Sequence, residues 1–171
     1  MTNTTRFHDT DAGRLAYRRL EGDGPTLVWL GGFGSDMEGS KAAAFAEWAQ
    51  ARGQAFLRFD YLGHGASDGD FLDGTVSQWR EDALAVIDGL TEGPLVLIGS
   101  SMGGWVALLV AQALGDRVAG LVGIAAAPDF TDWGLALTDA ERAALADHGR
   151  IEFFFNYTAT TEIYTRALIE D

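Results

Sequence analysis

Short apolar segments of strand length alternate along the chain with longer segments of helical periodicity. The apolar segments are Thr26–Leu30, Gln54–Phe59, Pro94–Ile98 and Val118–Ala125. Because they carry apolar residues on both faces, they are typical of strands buried within a parallel sheet. Helices are predicted between them, over Lys41–Arg52, Val76–Leu90 and Met102–Leu114. This alternation predicts an α/β fold with a doubly wound, mostly parallel sheet and flanking helices.

Two of the predicted helices have a clear apolar face. On the first, this face comprises Ala42, Phe45, Trp48 and Ala49. On the second, apolar side chains repeat at helical spacing at Val76, Trp79, Ala83, Val86, Ile87 and Leu90. The second helix follows Thr75-x-x-Gln78, the pattern of a capping box. We therefore expect each helix to pack one side against the sheet.

The two ends of the chain depart from this alternation. Thr5–Leu20 alternates weakly between apolar and polar residues, which predicts an edge strand or a hairpin. Thr138-x-x-Glu141 predicts the start of a short helix, and Thr160–Glu170 also has helical character. Residues 130–171 therefore predict a short helical lid over a pocket, with a helical hairpin packed on the sheet edge as the alternative. No linker interrupts the chain, so residues 1–171 predict a single domain.

A glycine-flanked serine lies between the third buried strand and the third helix. The sequence there is Gly99-Ser100-Ser101-Met102-Gly103, a G-x-S-x-G pattern. A nucleophilic serine in such a sharp turn projects its hydroxyl outward, and the two glycines allow close backbone approach. The N–H of Met102 opens the helix unpaired and can donate to a developing oxyanion. The alternative is a glycine-rich turn whose hydroxyl merely caps the helix, a structural role that we assign to Ser100.

A second glycine-rich loop, Gly31-Gly32-Phe33-Gly34-Ser35, follows the first buried strand. Glycines at this position let the backbone approach a ligand, which predicts the N–H of Phe33 as a second oxyanion donor. The alternative is a mobile loop without a role. Neither glycine pattern of phosphate-binding loops is present. His64, in the loop after the second buried strand, either acts in catalysis or, as we expect, fixes the turn through local hydrogen bonds.

Composition excludes several classes of function. The formal net charge of −13 disfavours nucleic acid and anionic membranes as partners. The chain has no cysteine, which removes disulfides and thiolate sites and is compatible with a cytoplasmic location. Its three histidines form no metal-binding pattern, so we expect no metal. Residues 1–9 lack the apolar core of a signal peptide, and no apolar stretch has the length of a membrane span.

Three segments together resemble the α/β-hydrolase superfamily. They are Leu30–Gly34, Arg58–Ser67 and Gly99–Trp105, and their order and spacing also match. Within the superfamily, the chain looks most similar to small serine hydrolases, a group that includes acyl-protein thioesterases that also cleave acyl glucuronides, and their bacterial relatives. This finer resemblance rests on two segments, Gly-Ser-Ser-Met-Gly-Gly-Trp and Ala-Ala-Ala-Pro-Asp-Phe.

The resemblance implies a serine hydrolase that cleaves carboxylic esters or thioesters through an acyl-enzyme. Ser101 would be the nucleophile, and the N–H groups of Met102 and Phe33 would form the oxyanion hole. No cofactor is implied. The substrate would be a small molecule with an apolar acyl group, lying between the lid segment and the carboxyl ends of the strands.

The chain departs from the family pattern after the nucleophile. In the family, an acid and then a histidine follow the serine, and neither has a counterpart before Asp171, so the chain resembles a truncated domain. Asp129 and His148 have the correct order to complete the triad, but His148 would lie on the lid. These features leave a homo-oligomer or a complementing fragment open as a partner.

Two other functions remain as alternatives. One is a non-catalytic binding module of the same fold that holds an apolar ligand, which the missing acid and histidine favour. The other is a different chemistry on the same scaffold, such as a cofactor-free peroxidase or a carbon–carbon bond hydrolase, which no residue selects.

Overall fold

A six-stranded sheet forms the centre of the computed structural model, which describes residues 4–155 and 160–171. Its strands in chain order are β1 (Arg6–Thr10), β2 (Gly13–Leu20), β3 (Asp23–Leu30), β4 (Gln54–Phe59), β5 (Leu95–Ser100) and β6 (Val118–Ile124). They lie in the order β1-β2-β4-β3-β5-β6. The last four strands are parallel, and β1 and β2 form an antiparallel hairpin at one side. The predicted mostly parallel sheet and the terminal hairpin are confirmed.

Helices cover both faces of this sheet, as a doubly wound fold requires. They are α1 (Ser40–Arg52), α2 (Val76–Leu90) and α3 (Met102–Leu114). Successive residues of a strand point to opposite faces. Accordingly, Val28 and Leu30 of β3 pack in the core on the side of α2 and α3, whereas Trp29 packs with residues of α1.

The apolar face predicted for α1 is partly wrong. Ala42 and Ala49 are buried, but Trp48 is 44% exposed. The guanidinium of Arg52 lies 4.4 Å from the centre of the Trp48 ring. A cation over an aromatic face is favourable at the surface, so this ring is covered by its own helix rather than by the sheet.

Helix α2 has the predicted buried stripe but only half of the predicted capping box. The Thr75 hydroxyl accepts a hydrogen bond from the backbone N–H of Gln78. The Gln78 side chain instead donates to Oδ1 of Asp82 at 2.8 Å. Asp82 is buried, and its other oxygen accepts from the N–H of Leu62 at 2.8 Å. The glutamine therefore helps to satisfy a buried carboxylate that ties α2 to the loop after β4.

The segment after β6 combines helices with a hairpin. It contains α4 (Phe130–Trp133), α5 (Asp139–His148), β7 (Arg150–Phe155), β8 (Thr160–Thr165) and α6 (Arg166–Glu170). Helix α5 begins with the predicted capping box of Thr138 and Glu141. The prediction of a helix over Thr160–Glu170 is wrong for its first half, which pairs with β7 as an antiparallel strand. β-branched residues occupy four of the six β8 positions, and they favour a strand.

Strand β6 forms the far side of the sheet and, within the described residues, pairs only with β5. Leu121 and Val122 are 40% and 44% exposed. Among the described residues, β6 is therefore an edge strand with exposed apolar side chains. In the described part of the chain, no helix has both the length and the apolar character needed to cross a bilayer.

The sheet core predicts a strong contrast between two leucine-to-alanine substitutions. Leu97 in β5 is fully buried, whereas Leu108 in α3 is 41% exposed. We expect Leu97→Ala to lower the free energy of unfolding by about 2–5 kcal/mol because it leaves a cavity. Leu108→Ala, the matched control, should cost less than about 1 kcal/mol. Urea denaturation measures both, and equal losses would contradict this description of the core.

Candidate active site

Ser101 occupies a strained turn between β5 and α3. Strand β5 ends at Ser100 and α3 begins at Met102, so a single residue joins the two elements. Ser101 has φ 54° and ψ −122°, a conformation that costs a non-glycine residue roughly 1–3 kcal/mol. Its side chain is exposed, whereas Ser100 and Met102 are buried. The sharp strand-to-helix turn predicted from the G-x-S-x-G pattern is therefore present.

The glycines around Ser101 are required by close packing. A Cβ atom added to Gly103 would lie 2.1 Å from the carbonyl oxygen of Leu30. One added to Gly99 would lie 2.3 Å from the carbonyl oxygen of Gly103. These distances are far below van der Waals contact. The helix start thus packs directly against the ends of β3 and β5, which holds the turn in place.

Hydrogen bonds tie the backbone of Ser101 to the neighbouring strand. Its N–H donates to the carbonyl oxygen of Ile124, the last residue of β6, at 3.0 Å. Its own carbonyl oxygen accepts from the N–H groups of Gly104 and Ala127, at 2.9 and 3.0 Å. These bonds leave the hydroxyl as the polar group of Ser101 that can meet a ligand.

Two backbone N–H groups near Ser101 make no hydrogen bond within residues 4–155 and 160–171. They belong to Met102, the first residue of α3, and to Phe33, in the loop after β3. This loop runs close to the serine, since a Cβ added to Gly32 would lie 3.3 Å from Ser101 Cβ. Unpaired donors beside an exposed serine hydroxyl are the arrangement that an oxyanion hole needs.

His64 holds the loop that contains Phe33, and both of its ring nitrogens contact backbone atoms. Its Nε2 accepts from the N–H of Gly34 at 3.2 Å, and its Nδ1 lies 3.3 Å from the carbonyl oxygen of Leu62. These contacts correspond to a neutral ring with its proton on Nδ1. Burial lowers the pKa of His64, partly offset by the Leu62 bond, which raises it. This agrees with the expectation that His64 fixes a turn.

A buried carboxylate that the sequence analysis did not single out connects the same loops. Asp60 follows β4, and its two carboxylate oxygens accept from the N–H groups of Met37 and Ala66, at 2.6 and 2.9 Å. Burial raises the pKa of Asp60, and the two backbone donors lower it. A sequence signal exists, because an aspartate directly after a buried strand lies at the edge where loops converge.

Ser101 opens into a cavity of about 230 Å³. The cavity is lined by Phe33, Ser101, Met102, Ala127, Phe130, Gly134, Leu135, Glu162 and Tyr164. The rings of Phe33 and Tyr164 stack with centres 5.2 Å apart, and Phe130 lies 6.1 Å from Phe33. Aromatic residues from the loop after β3, from α4 and from β8 thus form one wall of the cavity.

Glu162 and Tyr164 are two lining residues that the sequence pattern did not indicate. Because Thr160–Glu170 was interpreted as a helix, these two positions did not appear on one face. In strand β8 they are two residues apart and therefore on the same side. The Tyr164 hydroxyl donates to Oε2 of Glu162.

A family model described as "Alpha/beta hydrolase family" matches residues 27–170. The chain belongs to the alpha/beta hydrolase family.

Curated relatives match about two thirds to three quarters of this chain. The protein named "Palmitoyl-protein thioesterase ABHD10, mitochondrial" from Mus musculus is 47% identical over 115 residues, 67% of this chain and 39% of that protein. The Homo sapiens protein of the same name is 41% identical over 128 residues, 75% of this chain and 42% of that protein. The match therefore spans about two fifths of the length of these relatives.

Solved structures match nearly the whole chain. A protein from Agrobacterium vitis S4, named as a hydrolase, superposes with a TM-score of 0.90 at 42% identity, covering 98% of this chain and 70% of that one. Mouse alpha/beta hydrolase domain-containing protein 10 gives a TM-score of 0.88 at 35% identity, covering 98% and 68%.

The fold does not bring the candidate acid and histidine to Ser101. Asp129 precedes α4 with φ 52°, and neither Asp129 nor His148 lines the cavity at Ser101. His148 lines a separate cavity between α5 and β7. No hydrogen bond links Ser101, Asp129 and His148 within the described residues. Nor does that part of the chain hold a group of three or more potential metal ligands.

The strain at Ser101 predicts that a glycine at this position stabilises the folded chain. Glycine adopts a positive φ freely, so Ser101→Gly removes about 1–3 kcal/mol of strain and loses roughly 0.5–1 kcal/mol through greater unfolded-state entropy. We expect a net gain of about 1 kcal/mol over Ser101→Ala, which keeps the strain, and a melting temperature higher by about 2–4 °C. Calorimetry of both variants measures the difference. A glycine variant that melts at or below the alanine variant would show that the turn stores no strain.

The buried neutral His64 predicts a loss of stability in mild acid. Since burial lowers the pKa of His64 in the folded chain, the unfolded chain takes up the proton first as the pH falls. The contribution is fully present above about pH 6.5, the unperturbed value, and is lost as the pH falls toward the folded-state pKa. His64→Gln should flatten this part of the curve of unfolding free energy against pH.

Subtracting the two curves isolates His64. Burial raises the pKa of Asp60 and of Asp82, so both carboxyls add their own pH dependence. They are present in both proteins and cancel in the difference. Parallel curves for the two proteins between pH 7 and 5, measured by urea denaturation, would contradict the assignment of a neutral His64.

Proposed function

We propose that this chain carries the acyl-accepting centre of a serine hydrolase that acts on carboxylic esters or thioesters. The observation that carries the proposal is the exposed hydroxyl of Ser101, presented by a strained turn. Beside it lie the unpaired N–H groups of Met102 and Phe33, and all three residues line one cavity. A reactive hydroxyl and preorganised donors at one point are the parts that acyl transfer requires.

The proposed reaction has two steps. Ser101 Oγ bonds to the carbonyl carbon and gives its proton to a base, while the N–H groups of Met102 and Phe33 stabilise the negative carbonyl oxygen. The carbon–oxygen or carbon–sulfur bond then breaks, and the alcohol or thiol leaves with a proton. Water next attacks the acyl-enzyme in the same way and releases the carboxylic acid and free Ser101. No cofactor takes part in either step of the proposed reaction.

The base is the part that the described residues do not place beside Ser101. His64 is buried with both nitrogens engaged, and His148 lines another cavity. A serine without its histidine loses roughly 10⁶ in rate in the best-studied hydrolase, yet keeps roughly 10³–10⁴ over water from its oxyanion hole and binding. We therefore expect slow acylation by an activated reagent, with full turnover needing a base from outside the described residues.

The cavity supports an apolar acyl group of modest length, and the relatives support a thioester bond. Aromatic and aliphatic side chains dominate the lining at Phe33, Phe130, Leu135 and Tyr164. Its volume of about 230 Å³ lies below the roughly 300–1,000 Å³ of drug-sized sites. The relatives named as palmitoyl-protein thioesterases support thioesters within the proposed substrate class.

A fluorophosphonate tests the nucleophile without requiring turnover. Ser101 Oγ should displace fluoride from phosphorus, which adds the phosphonyl mass once per chain. Intact mass spectrometry should show this adduct on the wild type, and peptide mapping should place it on Ser101. Ser101→Ala should remain unmodified. Ser100→Ala is the matched control, because Ser100 is buried in the adjacent position, and it should be labelled like the wild type.

Two results would overturn the proposal. One is an equal adduct on Ser101→Ala and the wild type. The other is no adduct on a wild type whose thermal unfolding shows that it is folded.

A non-catalytic binding module is the second candidate. The absence of a histidine beside Ser101 in residues 4–155 and 160–171 favours it. Such a module should be stabilised against heat by a short fatty acid or alkyl ester, equally in the wild type and in Ser101→Ala, and should release no product. Hydrolysis by the chain itself would exclude this candidate.

A further inference from the structure

A single charged side chain lines the cavity at Ser101 within the described residues. It is Glu162, on the same face of β8 as Tyr164. The other lining residues are apolar, small or the serine itself. Tyr164 donates its O–H to Oε2 of Glu162, and no described residue donates to Oε1.

This carboxylate is poorly placed for the proposed reaction of a neutral substrate. The transition state of acyl transfer develops a negative charge on the carbonyl oxygen. A second negative charge lining the same small cavity raises the energy of that state, because like charges repel at short range. The chain as a whole carries a net charge of −13, which adds to the effect.

A positive charge or a hydrogen-bond donor on the substrate would reverse this effect. It would contact Glu162 directly and would offset the carboxylate's repulsion of the oxyanion. The aromatic wall adds to the attraction, since organic cations are favoured beside aromatic faces. Tyr164 occupies one carboxylate oxygen and holds the side chain toward the cavity, so little ordering is needed when the substrate binds.

We propose that Glu162 determines specificity, selecting esters or thioesters that carry a cationic or hydrogen-bond-donating group next to the carbonyl and rejecting those that carry a carboxylate there. This inference rests on the proposed function and names its substrate class. Glu162 contacts the substrate and does not take the proton of Ser101. Tyr164 is a positioning residue that acts through Glu162.

Two matched phosphonates test the proposal. Both are 4-nitrophenyl methylphosphonates; one carries a 2-(trimethylammonio)ethyl ester, and the other carries the uncharged, isosteric 3,3-dimethylbutyl ester. Ser101 Oγ bonds to phosphorus, the bond to 4-nitrophenolate breaks, and the serine proton passes to solvent. Release of 4-nitrophenolate gives the rate, and its dependence on concentration separates binding from the bond-making step.

The wild type should react faster with the cationic reagent than with the neutral one. Glu162→Gln should lower this ratio of rates by about three- to tenfold, and the change should lie in the binding constant and not in the bond-making step. Glu152→Gln is the matched control. It removes the same charge from β7, where Glu152 is half exposed and lines the separate cavity next to His148. Its ratio should equal that of the wild type.

Two measurements do not depend on how well Glu162→Gln folds. In the wild type, raising sodium chloride from about 0.05 to 0.5 M should lower the ratio, because salt screens the charge contact. Tyr164→Phe keeps the carboxylate but removes the hydrogen bond that positions it, so it should lower the ratio less than Glu162→Gln does. A salt-independent ratio, or a ratio in Tyr164→Phe at or below that of Glu162→Gln, would contradict the proposal.

The outcomes distinguish this inference from the proposed function. Failure of both reagents to modify Ser101 would overturn the hydrolase centre and the inference with it. Modification by both, with a ratio that Glu162→Gln leaves unchanged, would overturn the inference alone. An equal slowing of both reagents in Glu162→Gln would also overturn it, because Glu162 would then act on Ser101 instead of on the substrate's charge.

Discussion

The packing of Gly103 against the end of β3 is the constraint on which the site depends. The Cα of Gly103 approaches the carbonyl oxygen of Leu30 so closely that no side chain fits. This contact lets α3 begin directly after β5, with Ser101 alone making the turn. The strain at Ser101 persists because the sheet and the helix on either side of it are well packed, and rigid surroundings are what allow a sparsely populated conformation to survive.

Buried polar side chains hold the loops at the carboxyl ends of the strands. Asp60, His64 and Asp82 each accept hydrogen bonds from backbone N–H groups of loops at the carboxyl ends of the strands. Each loses hydration on burial, and each recovers part of that loss through these bonds. Asp60 and His64 hold the loop that contains Phe33 and runs close to Ser101, whereas Asp82 holds the loop after β4.

The sequence was sufficient for the sheet and the turn because their signals are local. Buried parallel strands appear as apolar runs, and the glycines around Ser101 mark close approach. Glu162 and Tyr164 could not be predicted in the same way, because their place depends on β8 pairing with β7, and a short segment containing leucine, alanine and glutamate also suits a helix. Trp48 was misassigned for a related reason: periodicity gives a face, but it does not show where the sheet ends. The separation of His148 from Ser101 likewise depends on tertiary packing that residue order does not encode.

The hydrogen bond from Ser101 to Ile124 links the reactive turn to the outermost strand of the sheet. Outer strands fray more readily than central ones, since half of their backbone groups exchange partners with water. Transient opening of β6 would therefore remove one of the supports of the turn and let Ser101 relax. The geometry of the serine is in this way coupled to the local stability of a strand whose residues do not line the cavity at Ser101.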